Sequence, residues 1–215
     1  MKKSICMFLS AMLIFSGCAK QEEPVFEKTS FGEYTENTRI YENEYAGFGC
    51  VIDENFEVMT KEQVNPSMEE VKERFNNTEL NEEIAEANLI FDIQAANLET
   101  GANFNIIYQE ISKAEYVNYN HDNDRVVELA LNKKDEMIQS YLDAGYGTAT
   151  MRQENVQFLG KNVSAIVTEM TTQGIPIYIV QVPQFDVNGT FGIMLTVTAL
   201  SMDEAKELLN TFYEV

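Results

Sequence analysis

Tryptophan is absent from this chain, histidine occurs once, and 15 basic residues stand against 35 acidic ones. Each scarcity excludes something. With a net charge of −20 and no basic stripe, the chain has nothing to neutralise a phosphate backbone, so nucleic acid is not an expected partner. With one imidazole, and one thiol left once Cys6 and Cys18 are spent as described below, a zinc site is not expected. No P-loop, dinucleotide fingerprint, H-E-x-x-H, C-x-x-C or G-x-S-x-G occurs, and neither an internal repeat nor a low-complexity block. What is present is a hydrophobic share of 45% over 215 residues, which excludes wholesale disorder and suits one domain at about 100–200 residues each.

The beginning of the chain carries an address. Lys2 and Lys3 precede an uncharged apolar stretch from Ile5 to Phe15, interrupted by Ser10, and small Ser16 and Gly17 precede Cys18. That three-part order reads as a secretory signal peptide over residues 1–17. Eleven residues at about 1.5 Å rise span roughly 16 Å, half of a ~30 Å hydrocarbon core, which is too short for a permanent spanning helix. The run Leu13-Ile14-Phe15-Ser16-Gly17-Cys18 resembles the lipobox of bacterial lipoproteins, with Phe15 where that family favours Leu. The resemblance implies that Cys18 receives diacylglycerol, becomes the first mature residue and acquires two or more fatty acyl chains such as palmitate. Two chains, at ~0.8 kcal/mol per buried CH2, anchor a protein stably.

Loss of Lys2 and Lys3 takes the charge to −22. Of the cysteines Cys6 leaves with the signal and Cys18 takes lipid, so Cys50 remains alone and no intramolecular disulfide is expected. It sits between Gly49 and Val51 in an apolar stretch and reads as a buried, inert thiol. Residues 18–38 are polar, acidic and without period, and read as a flexible tether of order 25 Å.

From Arg39 to Val215 the pattern becomes periodic and predicts a single domain. Tyr41–Tyr45 and Phe48–Ile52 read as a first hairpin or bent strand pair. A capping box at Ser67 to Glu70 opens a short helix toward Phe75, and a second short helix covers Glu79 to Ala87. Leu89, Phe91, Ile93 and Ala95 alternate with Ile90, Asp92, Gln94 and Ala96 in strand period, and Phe104, Ile106 and Tyr108 return after Glu99-Thr100-Gly101. Asp122 or Asp124 can cap a long amphipathic helix from Arg125 to Ala144. Three strands follow, Val163 to Met170, Ile175 to Val182 and Thr190 to Ala199, with turns at Thr172-Gln173-Gly174 and Asn188-Gly189; Phe191, Ile193, Leu195, Val197 and Ala199 give the last one a clean apolar face. Ser201 to Glu204 is a capping box for a closing helix to Tyr213. The order ββ-αα-ββ-α-βββ-α is α/β, more specifically α+β, with an antiparallel sheet of about six to seven strands. The strand Ile175 to Val182 is apolar on both sides, which predicts helices on both faces of that sheet.

The Tyr41-Glu42-Asn43 and Gly47-Phe48-Gly49 runs, the hairpin Phe91–Tyr108 and the terminal βββα resemble bacterial lipoproteins of the PsbP-like fold. That α/β/α sandwich is shared with the extrinsic photosystem subunit and a Ran-binding nuclear import factor. The resemblance covers about Arg39 to Val215, and it implies a noncatalytic binding or assembly module with no functional residue carried over.

The residues themselves offer thin chemistry, and neither a catalytic residue, a cofactor nor a metal is assigned. His121 lies in the polar run from Asn118 to Asp124, with neither a nucleophile nor an oxyanion site around it. Asn118, Asn120, Asp122 and Asp124 place oxygens at alternate positions as calcium loops do, yet Asn123 and Leu129 stand where an EF-hand needs Gly and Glu. Two functions follow. The leading one is a membrane-anchored extracytoplasmic lipoprotein, not an enzyme, that binds a protein or peptide at the cell surface, with Tyr116 and Tyr119 as candidate anchors. The alternative is a hydrolase or small-ligand binder with a carboxylate-lined pocket.

Overall fold

Short turns reverse the chain at nearly every strand, and every strand pair that results is antiparallel. The structure, a computed structural model, describes residues 32–59, 89–119, 122–186 and 191–215. It begins with β1 (Glu33–Thr35), β2 (Ile40–Asn43), β3 (Phe48–Val51) and β4 (Phe56–Met59). The hairpin of β5 (Leu89–Asn97) and β6 (Asn103–Glu110) leads into helices α1 (Lys113–Asn118), α2 (Asn123–Leu131) and α3 (Lys134–Asp143). Strands β7 (Thr148–Phe158), β8 (Lys161–Thr172), β9 (Ile175–Phe185) and β10 (Phe191–Ala199) follow, then α4 (Met202–Leu209) and β11 (Phe212–Glu214). One sheet has seven strands in the order β4-β5-β6-β10-β9-β8-β7, and a second has four, β1-β2-β3-β11. No helix among the described residues is long and apolar enough to cross a membrane.

Two cores form. On one side of the large sheet, Ile106, Val180, Val182, Ile193 and Leu195 pack with Tyr41, Phe48 and Cys50 of the small sheet and with Ala205 and Leu209 of α4. The clean apolar stripe expected from Phe191 to Ala199 lies wholly in this core. On the other side, Ile166, Met170, Ile179 and Met194 pack with Val126, Val127 and Ala130 of α2 and Tyr141 of α3. Ile179 and Val180 thus enter different cores, the strand period at work on an element covered twice.

The structure corrects several expectations. The first hairpin is not part of the main sheet; it builds the small one, closed by β11. The closing helix stops at Leu209 instead of Tyr213, because Phe212 inserts among Phe48, Phe104 and Phe158 at ring distances of 5.4–5.9 Å and pairs opposite Cys50. The long helix Arg125–Ala144 is two, broken at Asn132-Lys133. Asn132 is a weak helix former, and Asp135 and Glu136 behind it favour the N-terminal end of a new helix. The break turns α3 toward β7 while α2 stays over β8.

Strand β7 has no counterpart in the sequence pattern, since Met151 and Val156 fall on opposite phases and polar residues fill the space between. The turn that creates it is legible afterwards. Leu159 and Gly160, with φ of 51° and 71°, form the two-residue loop to β8 that twisted hairpins favour, as Gln173 and Gly174 do between β8 and β9. Part of the expected tether is also structured, because Glu33 to Thr35 pair with β2. The expected helices at 67–75 and 79–87, the Asn188-Gly189 turn, His121, the signal peptide 1–17 and Cys18 lie outside the described residues.

Candidate functional site

A bulge in β5 makes the most polar point of the interior. Phe91 pairs with Ile107 but Ile93 with Ile106, so Asp92 is an extra residue and the strand changes phase across it. The single stripe Leu89-Phe91-Ile93-Ala95 expected from alternation is therefore broken: Ile90, Ile93 and Ala95 face the small sheet, and Asp92 is aimed there too.

Three donors converge on one oxygen of that carboxylate. Asp92 Oδ2 accepts from the Tyr41 hydroxyl at 2.5 Å, from Asn43 Nδ2 at 2.8 Å and from the Gly32 backbone N–H at 3.1 Å. Asn43 Nδ2 also donates to Tyr41 Oη at 2.8 Å and Tyr108 Oη at 2.5 Å, while its Oδ1 accepts from the Ala46 N–H at 2.8 Å. Strand β2 contributes Tyr41 and Asn43 on one face because residues two apart share a face. Gly49 of β3 lets that strand lie close, since a Cβ there would come within 2.6 Å of the Tyr41 carbonyl oxygen.

A second carboxylate ends the network. Tyr45 Oη donates to Asp186 Oδ2 at 2.7 Å, and Asp186 Oδ1 accepts the Phe191 N–H at 2.7 Å, closing the connection between β9 and β10. The rings of Tyr45, Tyr108 and Phe191 meet at 6.0–6.3 Å between the two acids.

Burial first, then the charge of Asp92, pushes the Tyr41 and Tyr108 hydroxyls well above the ordinary phenol range. Burial alone pushes the Cys50 thiol up to about 12. None of these groups is therefore ionised near neutrality, and the thiolate that nucleophilic attack requires is not formed at Cys50. Tyr119 and Tyr141 are likewise raised by burial.

Beside Asp92 a groove of about 720 Å³ opens between β1–β2 and β4–β5. Glu36, Glu54, Glu57 and Asp92 line it together with Tyr34 and Arg39. Arg39 does not neutralise these acids through a salt bridge. With a left-handed φ of 54°, it donates Nε to Ile52 O at 2.9 Å and Nη2 to Asp53 O at 2.7 Å and Phe56 O at 2.6 Å. It holds the link by which the chain leaves the small sheet for the large one.

A separate polar row crosses the opposite face of the large sheet. Gln94, Asn105, Thr196 and Gln181 are aligned on β5, β6, β10 and β9, and each is buried. Among the described residues, Oδ1 of Asn103 and Asn105 and Oγ1 of Thr168 and Thr196 have no hydrogen-bond partner. The row carries no charge.

The sequence-derived candidates fare unevenly. Tyr119 is buried and, with Tyr116, packs on Phe185 at ring distances of 5.8 and 5.4 Å, so these rings are core contacts and not an exposed docking patch. Asp122 caps α2 through the Asp124 N–H at 2.9 Å, and Asn118 and Asp124 lie in α1 and α2, so these three do not form a continuous calcium loop. Asn120 lies outside the described residues. Among those residues no group of three or more His, Cys, Asp or Glu gathers as a metal site would. Asp92 and Asp186 were not marked by the sequence; the one available signal was a lone acid inside the apolar run Leu89-Ile90-Phe91-Asp92-Ile93.

No protein-family model matches the chain, and no curated protein matches it.

Proposed function

We propose that this chain is a lipoprotein held by Cys18 on the extracytoplasmic face of a bacterial membrane, and that its body is a noncatalytic binding module. In this reading residues 1–17 are removed as a signal peptide and the chain from Cys18 tethers one α/β/α body, PsbP-like, with helices on both sheet faces. The partner is a protein or peptide at the cell surface. One observation supports the noncatalytic reading most directly: the shifted phenols and thiol of the interior are all moved away from neutrality, leaving none of them poised as a base or nucleophile. The Asp92 carboxylate already accepts three donors that join the two sheets, which suits structure better than turnover.

The groove favours a second reading. Four carboxylates around about 720 Å³ suit a small-ligand binder, or a hydrolase working with two acids.

Two measurements separate these readings. Incorporation of labelled fatty acid is expected in the parent and abolished by Cys18→Ala; labelling that survives the substitution removes the lipid anchor from the proposal. The purified protein is expected to recover a partner from envelope extracts and to leave glycan and ester substrates intact. Turnover that is lost in Glu54→Gln or Glu57→Gln would replace the binding module with the groove enzyme.

A further inference from the structure

The two ends of the seven-stranded sheet are unlike. At one end β4 is four residues long and carries Glu57, a short charged edge of the kind that resists pairing. At the other, β7 is eleven residues long, contains no proline, and pairs with β8 from Thr148↔Thr171 to Phe158↔Lys161 without a register shift. Among the described residues no strand pairs with its outer edge. Arg152, Gln153, Asn155 and Gln157 are exposed there. A long, regular and uncovered edge is a template for strand addition.

We propose that β7 pairs with β7 of a second copy of this chain, antiparallel about a two-fold axis at Gln153. The charges select that register. Centred on Gln153, Arg152 lies opposite Glu154 of the other copy, and the symmetry repeats the pair. A strand keeps its faces only in steps of two residues. The next register one way places Arg152 opposite Arg152, and the next the other way places Glu154 opposite Glu154; both are repulsive. The side chains needed are already oriented. Arg152 and Glu154 share a face at 2.9 Å, and Lys206 of α4 holds Glu154 from behind at 3.2 Å. Glu154 is kept ionised, because Lys206 and Arg152 together outweigh the upward push of burial. Backbone hydrogen bonds supply the attraction and the two ion pairs fix the alignment. This inference stands independently of the membrane anchor.

Thiol trapping of the purified full-length protein tests it, at about 0.15 M salt, where screening over roughly 8 Å damps the net charge but spares contacting pairs. Gln153→Cys places two thiols at the axis, whereas Asn155→Cys faces Met151 of the other copy. Under mild oxidation Gln153→Cys is expected to give a disulfide-linked dimer at a fraction at least tenfold above both Asn155→Cys and the parent. Adding Arg152→Glu, which sets like charges opposite each other, is expected to lower that fraction at least tenfold while the circular-dichroism melt still shows a folded chain. Equal trapping at 153 and 155, or a monomer by sedimentation at every concentration, would each overturn the proposal. If Arg152→Glu does not fold, the contrast between positions 153 and 155 decides alone.

Discussion

Replacing Asp92 by alanine should loosen the join between the two sheets. The substitution removes the acceptor for Tyr41 Oη, Asn43 Nδ2 and the Gly32 N–H. Asp92 borders the groove, so water can reach part of the space, and the Gly32 N–H recovers a partner at small cost. Tyr41 and Asn43 are each 1% exposed and recover less. Tyr41 Oη loses its acceptor, while Asn43 Nδ2 loses one bond to a charged group and keeps Tyr41 Oη and Tyr108 Oη; a stranded hydroxyl at about 1–2 kcal/mol and a lost charge-assisted bond at about 1.5 kcal/mol give a loss of about 3 kcal/mol. For a body of this size that is a fall in Tm of about 6–12 °C. Tyr41→Phe removes one donor and leaves Asn43 its bonds to Asp92 and Tyr108, so about 1 kcal/mol is expected. In the double variant the two losses should not add, because they share one hydrogen bond, and the coupling should be about 1 kcal/mol. Thermal melts of the four proteins by circular dichroism measure all three quantities. An Asp92→Ala protein that melts within about 1 °C of the parent, less than even one net hydrogen bond would cause, refutes the assignment of this carboxylate as the join.

Thr196 is fully buried and its hydroxyl has no partner among the described residues, so Thr196→Val should raise stability by about 1 kcal/mol, read as a higher urea midpoint; a lower midpoint would show that the hydroxyl is used. Gly49→Ala should instead destabilise by about 1–3 kcal/mol, since its Cβ would press on backbone at 2.6 Å, and an unchanged melt would mean that β2 and β3 separate at no cost. Alkaline pH should weaken the fold. The Cys50 thiol and Tyr119 phenol rise to about 12 in the folded state from ordinary values of 9.0 and 10.0, so their contribution is complete below pH 9 and disappears as pH climbs toward 12. A urea midpoint that stays flat from pH 8 to pH 11 would contradict that burial. With Cys50 the one free thiol among the described residues, the melt should be unchanged by reductant, and a clear drop would reveal a disulfide.

Strand period alone dictates much of the large sheet. The apolar face of β10, the two-sided burial of β9 and the β5–β6 hairpin follow from alternation, because a strand covered by a core must place apolar groups at every second residue. Helix starts at Asp122 and Ser201 were equally local, since a cap needs one side chain and one nearby N–H. Local rules then ran out where distant segments compete. Nothing near Phe212 says that its ring completes a cluster with Phe48, Phe104 and Phe158, yet that burial ends α4 and pairs β11 with a strand some 160 residues earlier. The bulge at Asp92 is the sharper case. The pattern through Leu89 and Ala95 is a clean alternation, and only the donors waiting on β2 make it better to insert one residue, reverse the phase and turn a carboxylate inward. Alternation records which residues tolerate burial. Which face each one takes, and which acid becomes the join between two sheets, depends on hydrogen-bond partners 49 and 51 residues away in sequence, and that is decided only when the sheets meet.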